Sequence, residues 1–198
     1  MIHVLGKIPR KIHIAVSGGP DSMTALDFLS NNHDVTAMYF HHGTKFGDDC
    51  MEFVSDYCKK NDIPLLTEKI SRKKKKSESP EEYWRNERYA WFNSFDAPIV
   101  TAHNLDDAVE WYIFTSLHGE AKLIPYKNNN VIRPFLITSK SEFLEWAERK
   151  NVPFLKDPAN SDRKYARSTI RHDIMPHALK VNPGLYKVVR KMLQEEYK

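Results

Sequence analysis

Two stretches of this chain gather side chains of the kinds that do chemistry together. The first is Ser17-Gly18-Gly19-Pro20-Asp21-Ser22, directly behind the apolar run Ile12-His13-Ile14-Ala15-Val16. Two glycines without Cβ atoms let the backbone approach an anion closely, and Ser17 and Ser22 add hydroxyls. A helix opening behind them aims free amides at the same point, so the segment suits a pyrophosphate. It lacks the Gly-Lys-Ser/Thr ending of a Walker A loop, so ordinary kinase or GTPase chemistry is not indicated. The second stretch runs from His103 through Asn104, Asp106 and Asp107 to Glu110. With a helix starting near Asn104, the imidazole and three carboxylates crowd its first two turns. Capping by Asn104 and the helix macrodipole account for acidic residues there. The functional alternatives are a Mg²⁺ site for a nucleotide and a cage for a cationic substrate.

Cations form three further groups. Glu81, Arg85 and Arg88 share one helical face, an arrangement that by itself is an ordinary surface pairing. Arg72-Lys73-Lys74-Lys75-Lys76 is a run of five adjacent positive charges. It is read as a mobile loop that is either solvated or able to reach a polyanion. Asp157-Pro158-Ala159-Asn160 leads into a helix carrying Arg163, Arg167 and Arg171 at four-residue steps with Tyr165 between them. That stripe suits phosphate contacts or a solvated basic face.

The elements that must position these groups alternate. Strands are expected at 11–16, 34–40, 64–69 and 98–102, and helices at 21–31, 46–61, 80–95 and 104–117. That alternation is expected of an α/β fold, a parallel sheet wrapped by helices on both faces. Ligands then collect at the carboxyl ends of the strands, where Ser17, the Tyr39-Phe40-His41-His42-Gly43 segment and His103 would converge. From 120 to 137 the pattern weakens to a turn at Asn128-Asn129-Asn130 and a short strand at Val131–Leu136. Helices near 140–150, 163–180 and 184–197 follow, the first with Ser139 and Glu142 in capping-box spacing.

The 198 residues are 41% hydrophobic, enough for one sizeable core with a small appendage. Thirty Lys and Arg against 26 Asp and Glu leave a formal charge of +4, too mild to establish a nucleic-acid partner without the distribution of charge. No stretch is apolar enough to span a bilayer and no leader pattern opens the chain, so a cytoplasmic protein with no membrane partner is expected. The two cysteines, Cys50 and Cys58, have no CxxC spacing and read as reduced packing residues.

The Ser17–Ser22 hexapeptide resembles the SGGxDS signature of the PP-loop ATP pyrophosphatases. In order along the chain, further motifs follow it: His41-His42-Gly43; Glu81 with Arg85, Arg88 and Tyr89; and Ala102-His103 with Asp106, Asp107 and Glu110. Arg133-Pro134-Phe135-Leu136 comes next, then Asp157-Pro158 with Asn160, Tyr165, Arg167, Arg171 and Pro176. Together they resemble the catalytic domain of tRNA(Ile)-lysidine synthetases over about residues 11–184. The resemblance implies a PP-loop domain at 1–137 with a Rossmann-like, adenine nucleotide alpha-hydrolase-like fold. A helical part of the catalytic region at 138–198 would pack on it. It implies a ligase that uses ATP and Mg²⁺ to adenylate the wobble cytidine of a CAU-anticodon tRNA(Ile). The enzyme then joins free L-lysine to carbon 2 of that base, giving lysidine and releasing AMP and pyrophosphate.

On that basis Ser17, Gly18, Gly19, Pro20, Asp21, Ser22 and His42 hold ATP, and Asp21 helps to place Mg²⁺. His103 with Arg167 or Arg171 stabilises the charge developing on the α-phosphate. Asp106, Asp107 and Glu110 share the binding and deprotonation of the lysine amine. Arg85, Arg88, Arg133, Arg163, Lys73 and Lys74 fall on the tRNA side.

The chain departs from the family pattern at several points. Trp84 stands before Arg85 in place of a small residue, Trp111 follows Glu110 where Thr is typical, and Ser168 follows Arg167 where Asn is typical. The glycine-rich loop after the acidic helix is cut to His118-Gly119. Many relatives also continue into further tRNA-gripping domains, so a minimal form is expected. Recognition then falls to the catalytic domain itself or to a second subunit, as in a homodimer. The alternatives are tRNA thiolation, disfavoured by the lack of clustered thiols, amidation of a small metabolite, and a non-catalytic RNA-binding relative.

Overall fold

The structure is a computed structural model that describes residues 1–156 and 166–197. Strand β1 (Lys11–Val16) buries alternate residues, with Ile12, Ile14 and Val16 turned to one face and His13 and Ala15 to the other. Helix α1 (Pro20–Ser30) returns antiparallel to it, and β2 (Asp34–His41) then pairs with β1 in parallel register, Val16 opposite Tyr39. Helix α2 (Lys45–Lys60) buries Cys50, Val54 and Cys58, a stripe at four-residue steps, before β3 (Leu65–Lys69) extends the sheet beside β2.

After α3 (Pro80–Phe92) the chain crosses back, and β4 (Ile99–Val100) pairs with the opposite side of β1. Helix α4 (Leu105–Leu117) is followed by a small hairpin, β5 (Lys127–Asn128) and β6 (Val131–Ile132), turned through Asn129 at φ +53°. Helix α5 (Lys140–Lys150), a short turn α6 (Ala166–Thr169), a π-helical segment Ile170–Ile174, α7 (Met175–Val181) and α8 (Leu185–Glu196) complete the order.

The six strands lie in the order β3-β2-β1-β4-β6-β5, parallel except for the β5–β6 hairpin. Helices α1, α2 and α5 cover one face and α3 the other, as expected of the α/β class. Helix α4 packs its Leu105, Ala108, Val109 and Ile113 against Ile170, Met175, Val189 and Leu193 of the last helices. Because strand order reverses between β1 and β4, their carboxyl ends open a crevice between Ser17 and Thr101.

Three expectations are adjusted. The fourth strand is two residues long rather than five, with one ladder bond beyond each end, from the His13 amide to the Pro98 carbonyl at 2.9 Å and from the Thr101 amide to the Ile132 carbonyl at 3.1 Å. The helix expected over 163–180 is not a uniform α-helix where it is described. Pro176 has no N–H and its ring would collide with the carbonyl of His172 in regular α geometry. The backbone widens instead, with the Met175 amide bonding to the Ile170 carbonyl. The Arg72–Lys76 run is organised: the Arg72 guanidinium pairs with Glu87 at 2.7 Å and with both Glu78 oxygens at 3.0 and 3.1 Å, while Lys73–Lys76 face solvent. No helix among the described residues is long and apolar enough to cross a membrane.

Candidate active site

The crevice at the carboxyl ends of β1, β2 and β4 is a cleft of about 670 Å³. A second depression of about 740 Å³ lies at the opposite, amino ends of the strands, beside Pro9, Pro98 and Asn130, which lead into β1, β4 and β6. It holds none of the sequence-predicted site residues, whereas the first holds most of them.

One wall of the cleft is the Ser17–Ser22 loop. Gly18 adopts φ +81°, a left-handed conformation that side chains disfavour, and its carbonyl accepts from the Leu155 amide at 2.9 Å. Helices α2, α3, α4 and α5 are each capped by a side chain, Thr44, Ser79, Asn104 and Ser139. Helix α1 has Gly19 at its cap and Pro20 behind it, with no capping side chain. The Asp21 and Ser22 amides therefore have no intrahelical acceptor and remain open to an anion. Ser17 is exposed. The buried Ser22 hydroxyl serves the loop itself, accepting from the Ser17 amide at 3.0 Å and donating to the Gly19 carbonyl at 3.1 Å. In this arrangement the Ser22 hydroxyl braces the loop that shapes the cradle.

Asp21 turns its carboxylate into the cleft. Burial pushes it above the usual carboxylate range, opposed by Lys140, whose ammonium lies 3.4 Å from Oδ2. Its Oδ1 is buried with no hydrogen-bond partner. The neighbouring Asp106 and Asp107 also raise its pKa through their charge. An orphaned carboxylate oxygen beside two more carboxylates fits Mg²⁺, which is commonly held by one or two carboxylates together with substrate phosphates. Among the described residues no group of three His, Cys, Asp or Glu side chains could hold a metal ion unaided.

The end of β2 brings two histidines of different character. The His41 Nδ1 accepts from the Gly43 amide at 2.9 Å, so its Nε2 carries the proton and donates to Asp48 at 2.9 Å. It braces the turn into α2. His42 lines the cleft between Phe40 and Trp84, and burial, reinforced by Arg88, lowers its pKa to about 4.

Across the cleft, His103 bonds through Nδ1 to the Thr101 hydroxyl at 2.8 Å. Burial again dominates and lowers its pKa to about 4; Asp107 opposes this, while Arg133, Arg88 and Arg167 reinforce it. His103 is neutral at pH 7. Asn104 and Asp107 form a reciprocal capping box on α4, at 3.0 and 3.1 Å. Asp106 accepts from the Lys140 amide at 2.8 Å and from the Tyr186 hydroxyl at 3.0 Å, tying α4 to α5 and α8. Glu110, 1% exposed, takes both arms of Arg171, and the same guanidinium lies 3.8 Å from Asp107. Burial raises the Glu110 pKa, opposed by Arg171.

The structure brings Ser17, Gly19, Pro20, Asp21, Ser22, His42, Arg88, His103, Asp106, Asp107, Glu110, Arg167 and Arg171 to one cleft. Nothing in the sequence signals that every carboxylate of the acidic patch already has a partner. Arg133, expected on the tRNA side, is 3% exposed and donates to the Pro125 carbonyl and the Tyr89 hydroxyl. Arg85 lies outside the cleft with its guanidinium 4.6 Å from the Tyr89 ring. Lys73 and Lys74 are exposed, the latter donating to the Glu78 carbonyl at 2.9 Å. Arg163, with Asp157, Asn160 and Tyr165, lies outside the described residues. Lys140, Thr101 and Tyr186 were missed. Lys140 follows the Ser139 cap, but nothing in the sequence points its side chain towards Asp21.

A family model described as a PP-loop domain matches residues 3–178. The chain is 31% identical over 186 residues to the tRNA(Ile)-lysidine synthase of Staphylococcus aureus, covering 83% of this chain and 43% of that protein. The tRNA(Ile)-lysidine synthase of Persephonella marina is 30% identical over 193 residues, covering 88% and 43%. This chain spans less than half the length of the curated relatives it matches. Among solved structures, the U34-tRNA thiolase NcsA of Methanococcus maripaludis with its [4Fe-4S] cluster shares the fold. Its TM-score is 0.78 at 17% identity, covering 98% of this chain and 74% of that one.

Proposed function

This chain belongs to the PP-loop ATP-binding family, and from that premise we propose that it is an ATP-dependent ligase that converts the wobble cytidine of a CAU-anticodon tRNA(Ile) to lysidine. The observation that carries the proposal is the meeting, across one cleft, of an uncapped anion loop with a neutral His103 and a carboxylate–arginine set. Close similarity to relatives named for lysidine formation supports the choice of acceptor.

ATP would lie with its phosphates over Ser17–Ser22 and its base against the apolar wall of Met38, Phe40 and Phe92. Mg²⁺ held by Asp21 and the phosphates would supply charge neutralisation there. In the first step the cytosine 2-oxygen attacks the α-phosphorus and pyrophosphate leaves. Arg167, Arg171 and His103 then face the oxygens on which charge grows; in the tautomer in which Thr101 donates to Nδ1, the Nε2–H of His103 is the donor. A neutral imidazole suits this role because it donates without losing a proton to the product.

In the second step the lysine ε-amine attacks carbon 2 and AMP leaves. The amine arrives protonated, its free pKa being about 10.4. It needs a carboxylate to hold it and a base to take its proton. Asp107 and Glu110 are the groups for those tasks, while Asp106 positions α4, α5 and α8 around them.

The test is incubation of the protein with labelled lysine, ATP, Mg²⁺ and a tRNA(Ile) transcript bearing CAU, with tRNA(Met) as control. Label in tRNA(Ile) alone is the expected result. No label, with pyrophosphate released on a small acceptor instead, would overturn it in favour of metabolite amidation.

A further inference from the structure

Helix α4 carries a second stripe that the chemistry above leaves unused. Asp107, Trp111, Phe114 and His118 follow one another at steps of four, three and four residues, and so share one face of the helix. Leu105, Ala108, Val109 and Ile113 occupy the opposite, buried face. The three rings of the stripe lie nearly in a pile. Trp111 stacks on Phe114 with centroids 5.7 Å apart and planes 24° apart, and Phe114 meets His118 at 4.4 Å and 37°. The His118 ring is held in place by its Nδ1–H, which donates to the Phe114 carbonyl at 2.7 Å. Trp111 and Phe114 are half-buried and His118 is exposed. At the cleft end, the Arg167 guanidinium lies 5.8 Å from the Trp111 ring and also lines the cleft.

We propose that this face of α4 is a stacking platform for the unpaired bases that flank the base entering the cleft, an inference that rests on the RNA substrate proposed above. Three lines support an RNA loop as the occupant. The stripe adjoins the cleft through Asp107 and Arg167, so a strand that delivers a base to His103 can lay its neighbours along α4. A base drawn out of its stack leaves those neighbours without partners, and aromatic side chains replace them without regard to sequence. Arg167, planar and cationic, complements both the ring face and the adjacent phosphate.

The test measures the affinity of the whole chain for an anticodon stem-loop RNA, with a fully paired hairpin stem as control, alongside the affinity for ATP. Trp111→Ala and His118→Ala are each expected to weaken loop binding by roughly five- to hundredfold. Trp111→Phe should retain most of the binding, and ATP affinity should be unchanged in all three. Tryptophan fluorescence quenched by the loop but not by the stem, with the quench reduced in Trp111→Phe while the other three tryptophans remain, is the matching spectroscopic signature. Because His118 is exposed, its variant keeps the test decisive should Trp111→Ala fold poorly.

Wild-type-like loop binding by both alanine variants overturns the platform while leaving the RNA substrate standing. Failure of the wild-type chain to bind either RNA overturns the substrate and the platform together. A self-associating wild type that Trp111→Ala renders monomeric, with loop binding intact, reassigns the face to contact between copies and overturns the proposal.

Discussion

His42 and His103 are the residues where burial acts most directly on chemistry, each held at about 4 by loss of water. In the unfolded chain an imidazole titrates at ~6.5. Their contribution to stability is therefore intact above that value and lost as pH falls towards 4, because the unfolded chain takes up the protons first. Asp21 and Glu110, raised by burial, act in the opposite sense, adding stability as pH falls through their raised values. His42→Gln removes one share of the acid-side loss alone, so its melting temperature should fall less than the wild type's between pH 7 and pH 5. An equal fall in both would show that His42 is not buried in its neutral form.

Asp106 supports a second expectation. Both of its oxygens accept hydrogen bonds; Asp106→Asn loses the charged acceptor, and its amide meets either the Lys140 N–H, which cannot accept, or the Tyr186 hydroxyl, which must turn from donor to acceptor. The substitution should cost about 1–3 kcal/mol in denaturant unfolding, in addition to impairing lysine transfer; unchanged stability would refute the tie. These partners lie 34 and 80 positions away along the chain. The sequence announced the carboxylate by its place in a first helical turn but carried no local sign of what it binds.

At the scale of elements, what the sequence made legible were the devices that act within a few residues. The Ser139 and Glu142 spacing forms a capping box on α5, and Asn104 caps α4. What stayed hidden was set by tertiary contact. The π-helical segment at Ile170–Ile174 answers a proline whose consequence depends on the helix continuing past it. The lysine run is organised by Glu78 and Glu87, with the Tyr83 hydroxyl donating to the Arg72 carbonyl and the Arg72 guanidinium 4.7 Å from the Tyr83 ring. Arg72→Ala releases that anchor and leaves two carboxylates without it. Limited trypsin digestion should then cut within Lys73–Lys76 markedly faster than in the wild type, with the other sites unaffected; an unchanged pattern would show that the lysines are held by something else.

For the whole molecule, the strand and helix alternation fixed the class of fold because parallel sheets impose it. The short β4 and the β5–β6 hairpin gave weak signals, since two-residue strands show no periodicity. Phe135 joins these parts, fully buried and edge-on to Phe28 of α1 at 6.0 Å and Phe143 of α5 at 5.3 Å. Phe135→Ala should cost about 3–5 kcal/mol, read as a lowered denaturant midpoint; a loss under about 1 kcal/mol would mean that α5 does not share the main core. The pairing of cleft charges has a consequence of its own. Asp21 holds Lys140, and Glu110 and Asp107 hold Arg171, so the resting cleft is an ion exchanger loaded with its own counterions. Triphosphate oxygens can take over the cations, and only then are carboxylates released for an incoming ammonium. Substrates should therefore add in a compulsory order. Calorimetry should find no lysine binding to the chain alone and measurable binding once a non-hydrolysable ATP analogue is present, whereas equal affinity in both states would mean that the carboxylates were never occupied.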